Sequence, residues 1–505
     1  MNNGKICVSV CAETADEFIK NIKRAEEFAD VIELRFDCLK ASELNSALQK
    51  ILSLNCRKPF LITFRPKQQG GKRELSLRER LKFWEFFLWK NKNKNLYVDF
   101  EFDFHSILDF SSIKSVFSFH DFSGVPENLE MTYNIYQNLT DADILKIAVQ
   151  ADDITDSLAV WKLLEKAKAD KKQLIPIAMG EAGKWTRILG LAHDAPLTYA
   201  SLDAGKETAA GQITAREMID VYRVKELNEE TEIYGIVGNP VSHSLSPFMH
   251  NAAFEFHDLN AVYIPFAVKN LDEFIKRMVR TKTCEIDWNL KGFSVTIPHK
   301  QTIIKYLDEI DETARKIGAV NTVKIEDGKL YGFNTDADGF LATLRNLYGD
   351  LRRAEVAVLG AGGSARACIY ALKKEGADVC IFARNIEKAN DLAIEFKVKL
   401  KELPIKNNEL QDFDIIVNTT PLGTKGELES QTPVTSAQFS NVKLALDLIY
   451  NPSKTQFMRE AEKSNVQTWN GLRMLAWQAM LQFKIWTGRE APMRLMMSAA
   501  TKKLT

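Results

Sequence analysis

The sequence predicts an α/β protein: a (β/α)8 barrel, followed by a second α/β half built around a strand–glycine turn–helix–strand unit. Three observations carry that expectation. The chain has 505 residues; at roughly 150 residues per domain this makes about three units, and one α/β barrel can take up ~250 of them. Its first two hundred or so residues alternate short β-rich runs with helix-prone, charged stretches. Further on, EVAVLGAGGSARACIYALKKEGADVCIFARN compresses a strand, a glycine-rich turn, a helix and another strand into one segment.

Taken in order, the β-rich runs are KICVSV, DVIELRFD, FLITFR, LYVDFEFD, KSVFSFH, LKIAV, QLIPIAMG and LTYASL. Between most of them lie segments such as TADEFIKNIKRAEEFA, with apolar residues at helical spacing. After Gln212, AREMIDVYRVKELNEETE reads as a helix ending in a charged, solvated run at about residues 224–232, which marks a domain boundary. The chain restarts at EIYGIVGNPVSHSLSPFMH as strand, turn and helix, and a helix-prone stretch from Leu472 onward is expected to pack back on this half.

Composition excludes several function classes. Lysine plus arginine number 67 and aspartate plus glutamate 67, so the formal net charge is zero. Broad attachment to nucleic acid or to an anionic membrane needs a basic excess. No apolar run approaches the ~18 residues of a spanning helix. The N-terminal MNNGKICVSVCAETADEF meets acidic residues after one short apolar stretch, unlike a secretory signal. The seven cysteines are odd in number and form no CxxC pair. They are expected to be reduced thiols of a cytoplasmic protein, with no disulfide framework and no metal.

Residues two apart on a strand share a face. Glu33, Arg35 and Asp37 therefore share one face of the second run, and Asp99, Glu101 and Asp103 one face of the fourth. Such faces fit either a polar catalytic mouth at the C-terminal ends of barrel strands or an inward layer of ion pairs. Lys146 sits between Leu145 and Ile147. Burial lowers an ammonium pKa toward the neutral amine that Schiff-base chemistry needs, whereas a strand-end lysine can also extend its amine to water. His120 ends the fifth run, Arg65 the third, and Arg187 follows the seventh. With Lys146 they form a convergent constellation at one end of a barrel.

ELRFD, TFRP, SFHDF, LKIAV and AAGQIT resemble the type I 3-dehydroquinate dehydratase family, over essentially residues 1–222. The resemblance implies that Lys146 forms an imine with the C3 ketone, that His120 shuttles the proton, and that Glu33 orients His120. It also implies Arg35, Arg65 and Arg187 as ligands of the carboxylate and hydroxyls, with Thr208 and Gln212 on a closing loop. The chain departs from the family at Gln69, where a glutamate is usual, at Thr208 for a serine and at Ala210 for a proline.

In AEVAVLGAGGSARA, Gly360, Gly362 and Ala365 satisfy G-x-G-x-x-G/A between a strand and a helix. This is the Rossmann fingerprint, in which Gly360, Ala361, Gly362, Gly363, Ser364 and Ala365 bring backbone amides to a pyrophosphate. The next strand ends in Ala383-Arg384-Asn385, with no acidic residue for a ribose 2′-hydroxyl. Arg384 suits a 2′-phosphate, hence NADP; otherwise it is a solvated surface arginine. In SHSLSP, Ser246 before Pro247 also reads as an N-cap with proline at N1.

SHSLSP, SVTIPHK, GAVNT and GFNTDADG, in that order, resemble the shikimate dehydrogenase family over nearly all of residues 232–505. The resemblance implies Lys300 and Asp336 as the catalytic pair, with Lys300 stabilising or protonating the developing alkoxide. It further implies Ser244, Ser246, Thr296, Asn321, Tyr450 and Gln478 as substrate ligands, and Asn418 and Thr419 beneath the cofactor. The expected domains are then the dehydratase barrel at 1–226, a shikimate-binding domain at 232–339 plus 472–505, and a Rossmann NADP domain at 340–471. The whole resembles a bifunctional enzyme of aromatic amino-acid biosynthesis acting on small molecules, without nucleic-acid or membrane partners. Its rivals are a dehydrogenase with a weakened or merely binding barrel, and a catabolic, NAD-using quinate enzyme.

Overall fold

The computed structural model describes residues 2–90, 96–104, 107–108, 113–139, 141–405 and 409–504. Contacts divide the chain into two units, Met1–Ile233 with Asn260–Asn289 and Tyr234–Leu259 with Leu290–Thr505.

In the first unit the eight runs are strands β1 (Lys5–Val10), β2 (Val31–Arg35), β3 (Phe60–Thr63), β4 (Leu96–Glu101), β5 (Lys114–Asp121), β6 (Ile144–Gln150), β7 (Leu174–Met179) and β8 (Leu197–Ser201). A two-residue β9, Ile213–Thr214, follows. All pair in parallel in the order β7-β6-β5-β4-β3-β2-β1-β8-β9, the winding of a (β/α)8 sheet. Among the described residues no ladder joins β7 to β8. There the loop after β8 reaches back, and the Gly180 N–H donates to the Ala210 carbonyl at 3.1 Å. At Gly211, φ is +74°, and a Cβ would lie 2.2 Å from the Gly180 carbonyl oxygen, so this seam requires glycine.

Helices cover the strands as the spacing predicts. Helix Ala15–Ala25 starts where Thr14 accepts from the Glu17 N–H, and it buries Phe18 and Ile22. Along the strand faces that carry the polar residues, the N-terminal halves hold Cys7, Val31, Leu61, Tyr97 and Ile144 in one apolar cluster. The same faces carry Glu33, Arg35, Asp99, Glu101 and Lys146 farther along, all buried. An apolar floor therefore leads up to a charged mouth.

Three expectations need correction. Cys11 and Cys38 form a disulfide, leaving five free cysteines. β1 and β2 are parallel neighbours, so the turns that follow them lie side by side although 27 residues separate the two cysteines. The helix after Gln212 is short, Ala215–Asp220; the charged run beyond it exposes Glu226, Glu229 and Glu230 as expected, but it is anchored by the buried Val224, Leu227 and Thr231. Ser246 does not cap its helix: it is the first residue of Ser246–Phe256, after Leu245.

The second half opens with β10 (Glu232–Gly238); β11 (Ala261–Ala267) belongs by contact to the first unit. In the second unit β12 (Leu290–Val295), β14 (Thr322–Glu326) and β15 (Lys329–Phe333) form an antiparallel ribbon, and the two-residue β13 (Glu309–Ile310) adds in parallel. The other sheet has β16 (Glu355–Leu359), β17 (Asp378–Ala383), β18 (Lys399–Glu402), β19 (Ile415–Asn418), β20 (Leu444–Asp447) and β21 (Gln467–Trp469). Its order is β18-β17-β16-β19-β20-β21, all parallel. The order reverses between β16 and β19, and ligands of such sheets bind outside the strand ends at that point.

Candidate active sites

Lys146 lies in the middle of β6, 4% exposed. Its Nζ is 3.2 Å from Asp99 Oδ2 and 4.2 Å from the centroid of the Tyr199 ring. Burial lowers the Lys146 pKa, and Asp99 opposes that fall. Asp99 is itself buried, yet the cations Arg65 and Lys146 hold it at about 2. Arg65 also donates to Glu101, whose other oxygen accepts from the buried Arg80. These strand faces thus carry an inward ion-pair layer, of which Arg65 and Lys146 line the pocket.

His120 is the penultimate residue of β5, with Nε2 at 2.9 Å from Arg65 Nη1. Burial, and then the cations Arg65, Lys146 and Arg35, push its pKa well down, leaving a neutral imidazole. Among the described residues no hydrogen bond joins it to Glu33. Both Glu33 oxygens accept from hydroxyls of adjacent strands, Oε2 from Ser9 at 2.5 Å and Oε1 from Thr63 at 2.9 Å, because β1 and β3 flank β2. Arg35 is clamped by Asp37 at 2.8 Å through two hydrogen bonds and donates to the Gly70 carbonyl. Arg187 is the exception in this charged pocket. It is buried, its Nε and Nη1 have no partner, and Nη2 makes a single 3.4 Å bond to Ala210. Thr208 and Gln212 face the same pocket, and the Thr208 N–H donates to Gln212 Oε1 at 2.8 Å. Gln69 lines it as well. Asp99 and Tyr199 were not singled out as site residues. The strand alternation that marked Asp99 could have found it, whereas Tyr199 carries no local signal.

In the second unit, Lys300 Nζ lies 2.5 Å from Asp336 Oδ2. Asp336 begins a helix after β15, its N–H held by Asn334 Oδ1 at 3.0 Å. Its Oδ1 accepts from Asn321 Nδ2 at 2.8 Å, which also lies 3.3 Å from Gln478 Oε1. Around this pair a cavity of about 250 Å³ is lined by Ser244, Ser246, Thr296, Asn321, Gln478 and Tyr450. Burial pushes the Tyr450 phenol up to about 12. Sequence reading missed Ser294 and Gln482, which meet at 2.8 Å in the same wall.

Beside it, a cavity of about 670 Å³ opens at the switch point between β16 and β19. Gly360, Ala361, Gly362, Gly363 and Ser364 line it below helix Gly363–Lys374. Gly360 has φ +111°, and a Cβ there would meet Thr419 Oγ1 at 2.6 Å. Arg384 is exposed in the rim and, among the described residues, forms no ion pair. Glycine turn, helix N-terminus and free arginine fit a dinucleotide with a 2′-phosphate. Two expected cofactor residues do not reach this cavity: Ala365 and Asn418 are fully buried, and Thr419 and Thr420 line it instead.

Residues 6–229 match the family model of type I 3-dehydroquinase. Residues 236–323 match the shikimate dehydrogenase substrate binding domain, 342–448 the shikimate/quinate 5-dehydrogenase model, and 471–501 the shikimate 5′-dehydrogenase C-terminal domain. The chain is 34% identical to the chloroplastic bifunctional 3-dehydroquinate dehydratase/shikimate dehydrogenase of Arabidopsis thaliana, over 98% of this chain and 84% of that protein. The chain belongs to this bifunctional family. Its second half is also 42% identical to an NADP(+) shikimate dehydrogenase of Methanococcus maripaludis, over 55% of this chain and 99% of the relative. A crystal structure of a shikimate dehydrogenase in complex with NADP+ superimposes with TM-score 0.51 at 41% identity, covering 55% of this chain and 98% of that one. The two pockets thus fall one in each of the family's two catalytic halves. No described helix is long and apolar enough to cross a membrane.

Proposed function

We propose that the two pockets run the family's two reactions, dehydration of 3-dehydroquinate to 3-dehydroshikimate and NADPH-dependent reduction of that product to shikimate. The observation that carries the first assignment is a buried amine and a buried arginine lining one pocket, the arginine without a counter-ion among the described residues.

Desolvation makes the Lys146 amine available as a nucleophile toward the C3 ketone, with loss of water to the imine. The protonated imine draws electrons from C2 and acidifies its proton. Neutral His120 removes that proton and returns it to the C1 hydroxyl, which leaves as water. Hydrolysis then restores Lys146. His120 Nε2 is engaged by Arg65 until substrate oxygens draw the guanidinium away. Arg187 takes the substrate carboxylate, which supplies the missing counter-ion. Arg35 is held by Asp37 to receive a hydroxyl, and Thr208 and Gln212 close over it.

In the second unit Lys300 donates a proton to the oxygen of the reduced carbonyl, and Asp336 fixes the ammonium in place. Ser244, Ser246, Thr296, Asn321, Gln478 and Tyr450 orient the polyhydroxy carboxylate. When bound, the reduced nicotinamide supplies the hydride; the 360–364 turn and Thr419 would hold its diphosphate end and Arg384 its 2′-phosphate. Gly363 supports the pairing of the two cavities, since a Cβ there would lie 3.2 Å from the Lys300 Cβ. We assign the domains as a barrel at 1–226, a shikimate-binding domain at 232–339 plus 472–505, and a cofactor domain at 340–471.

The test supplies dehydroquinate with NADPH and follows dehydroshikimate absorbance and NADPH loss together. Lys146→Ala should silence both signals, whereas Lys300→Ala should let dehydroshikimate accumulate. NADPH consumption that survives Lys300→Ala would refute the dehydrogenase site.

A further inference from the structure

Asp447 ends β20, is fully buried, and has no assigned role in either reaction. Its Oδ1 accepts from Asn418 Nδ2 at 3.1 Å and from the Ile449 N–H at 3.0 Å, and its Oδ2 from the Thr455 hydroxyl at 2.6 Å. None of these partners is charged. Buried carboxylates are ordinarily paired with cations, so this one is held for its geometry.

The partners belong to two loops. Asn418 turns its Oδ1 to the N–H and hydroxyl of Thr420, at 3.0 and 2.7 Å. Thr420 lines both the cofactor cavity and the substrate cavity, as does Thr419. Ile449 and Tyr450 line the substrate cavity. One carboxylate therefore ties the loop after β19 to the loop after β20. We propose that Asp447 is a positioning residue that holds these loops in register and so sets substrate against nicotinamide in the dehydrogenase.

The hold needs acceptors more than charge. Burial without a cation pushes the Asp447 carboxyl up to about 7, so neutral and charged forms are both populated in the working range. An asparagine can keep its carbonyl toward Asn418 and Ile449, while the Thr455 hydroxyl reverses to accept from its amide. An alanine takes this acceptor from the Ile449 N–H and the buried Thr455 hydroxyl and leaves Asn418 Nδ2 with only its 3.5 Å bond to the Leu422 carbonyl.

The experiment uses the full chain, with dehydratase activity as the internal control for folding. Asp447→Ala should raise KM for both shikimate and NADP+ and lower dehydrogenase kcat/KM about 10- to 100-fold, with dehydratase kcat unchanged. Asp447→Asn should stay within about threefold of the parent on every dehydrogenase parameter. Parental kinetics in Asp447→Ala, even with a lower Tm, overturn the proposal, as does an Asp447→Asn variant impaired as badly as the alanine. If Asp447→Ala loses both activities, Thr455→Val decides, because Thr455 lines neither cavity. It should raise both KM values about threefold or more, with Thr455→Ser restoring them, and unchanged KM values overturn the proposal. The inference rests on the dehydrogenase reading, which the Lys300→Ala outcome tests separately.

Discussion

Replacing Arg187 with methionine should make the first unit more stable and less able to bind its substrate. Arg187 is 2% exposed, and two of its three guanidinium nitrogens have no partner. Burial depresses its pKa from the ordinary 12.5 to about 10. Folding thus disfavours the protonated form, and this penalty is fully present at any pH below about 10. At ~1.4 kcal/mol per tenfold change in the ionisation constant, it amounts to about 3 kcal/mol. Methionine matches much of the arginine stem but forfeits the bond to Ala210, so a net gain of about 1–2 kcal/mol is expected. In a unit of this size that raises Tm by about 2–8 °C. Thermal unfolding, followed by loss of dehydratase activity and by calorimetry, measures it. The same variant should raise KM for dehydroquinate about 100-fold or more, because the carboxylate loses its cation. Product at saturating concentration should raise the Tm of the parent but not of the variant. A variant less stable by more than about 1 kcal/mol, or one with KM within about threefold of the parent, would refute the assignment of Arg187 as an anion seat.

His120 must be neutral to act as base, and its pKa is pushed well below 6.5 by burial and by Arg65. The acid limb of dehydratase kcat should therefore lie below pH 6.5, and a limb at or above 6.5 counts against His120. Asp336→Asn removes the carboxylate 2.5 Å from Lys300; dehydrogenase kcat should fall about 10²- to 10⁴-fold with dehydratase turnover intact. Arg384→Ala should raise KM for NADP+ about 10- to 100-fold and leave KM for NAD+ within about threefold, as steady-state kinetics with both cofactors would show.

Much of this could be read along the chain, because two of its strongest signals are local. Alternation in DVIELRFD and LYVDFEFD placed Glu33, Arg35, Asp99 and Glu101 on inward faces, and all four are buried there. The glycine turn at 360–365 was legible because spacing, strand and helix all fall within one short segment. The errors have a common origin. Glu33 was expected to hold His120, yet Ser9 and Thr63 take both of its oxygens. Cys11 was expected to be a free thiol, and Asn418 to face the cofactor.

The sequence by itself determined the alternation of strands and helices and the face on which each charged residue of β2 and β4 lies. Tertiary structure decided who meets whom. Which side chain ends beside which is set by the curl of the parallel sheet, which brings together the inward faces of strands that are neighbours neither in the chain nor in the sheet order. Thus Lys146 on β6 finds Asp99 on β4 and Tyr199 on β8. Arg187 is left without a counter-ion. Asp447 joins two loops 29 residues apart through one carboxylate. None of these pairings has a local period, so only the folded sheet could select them.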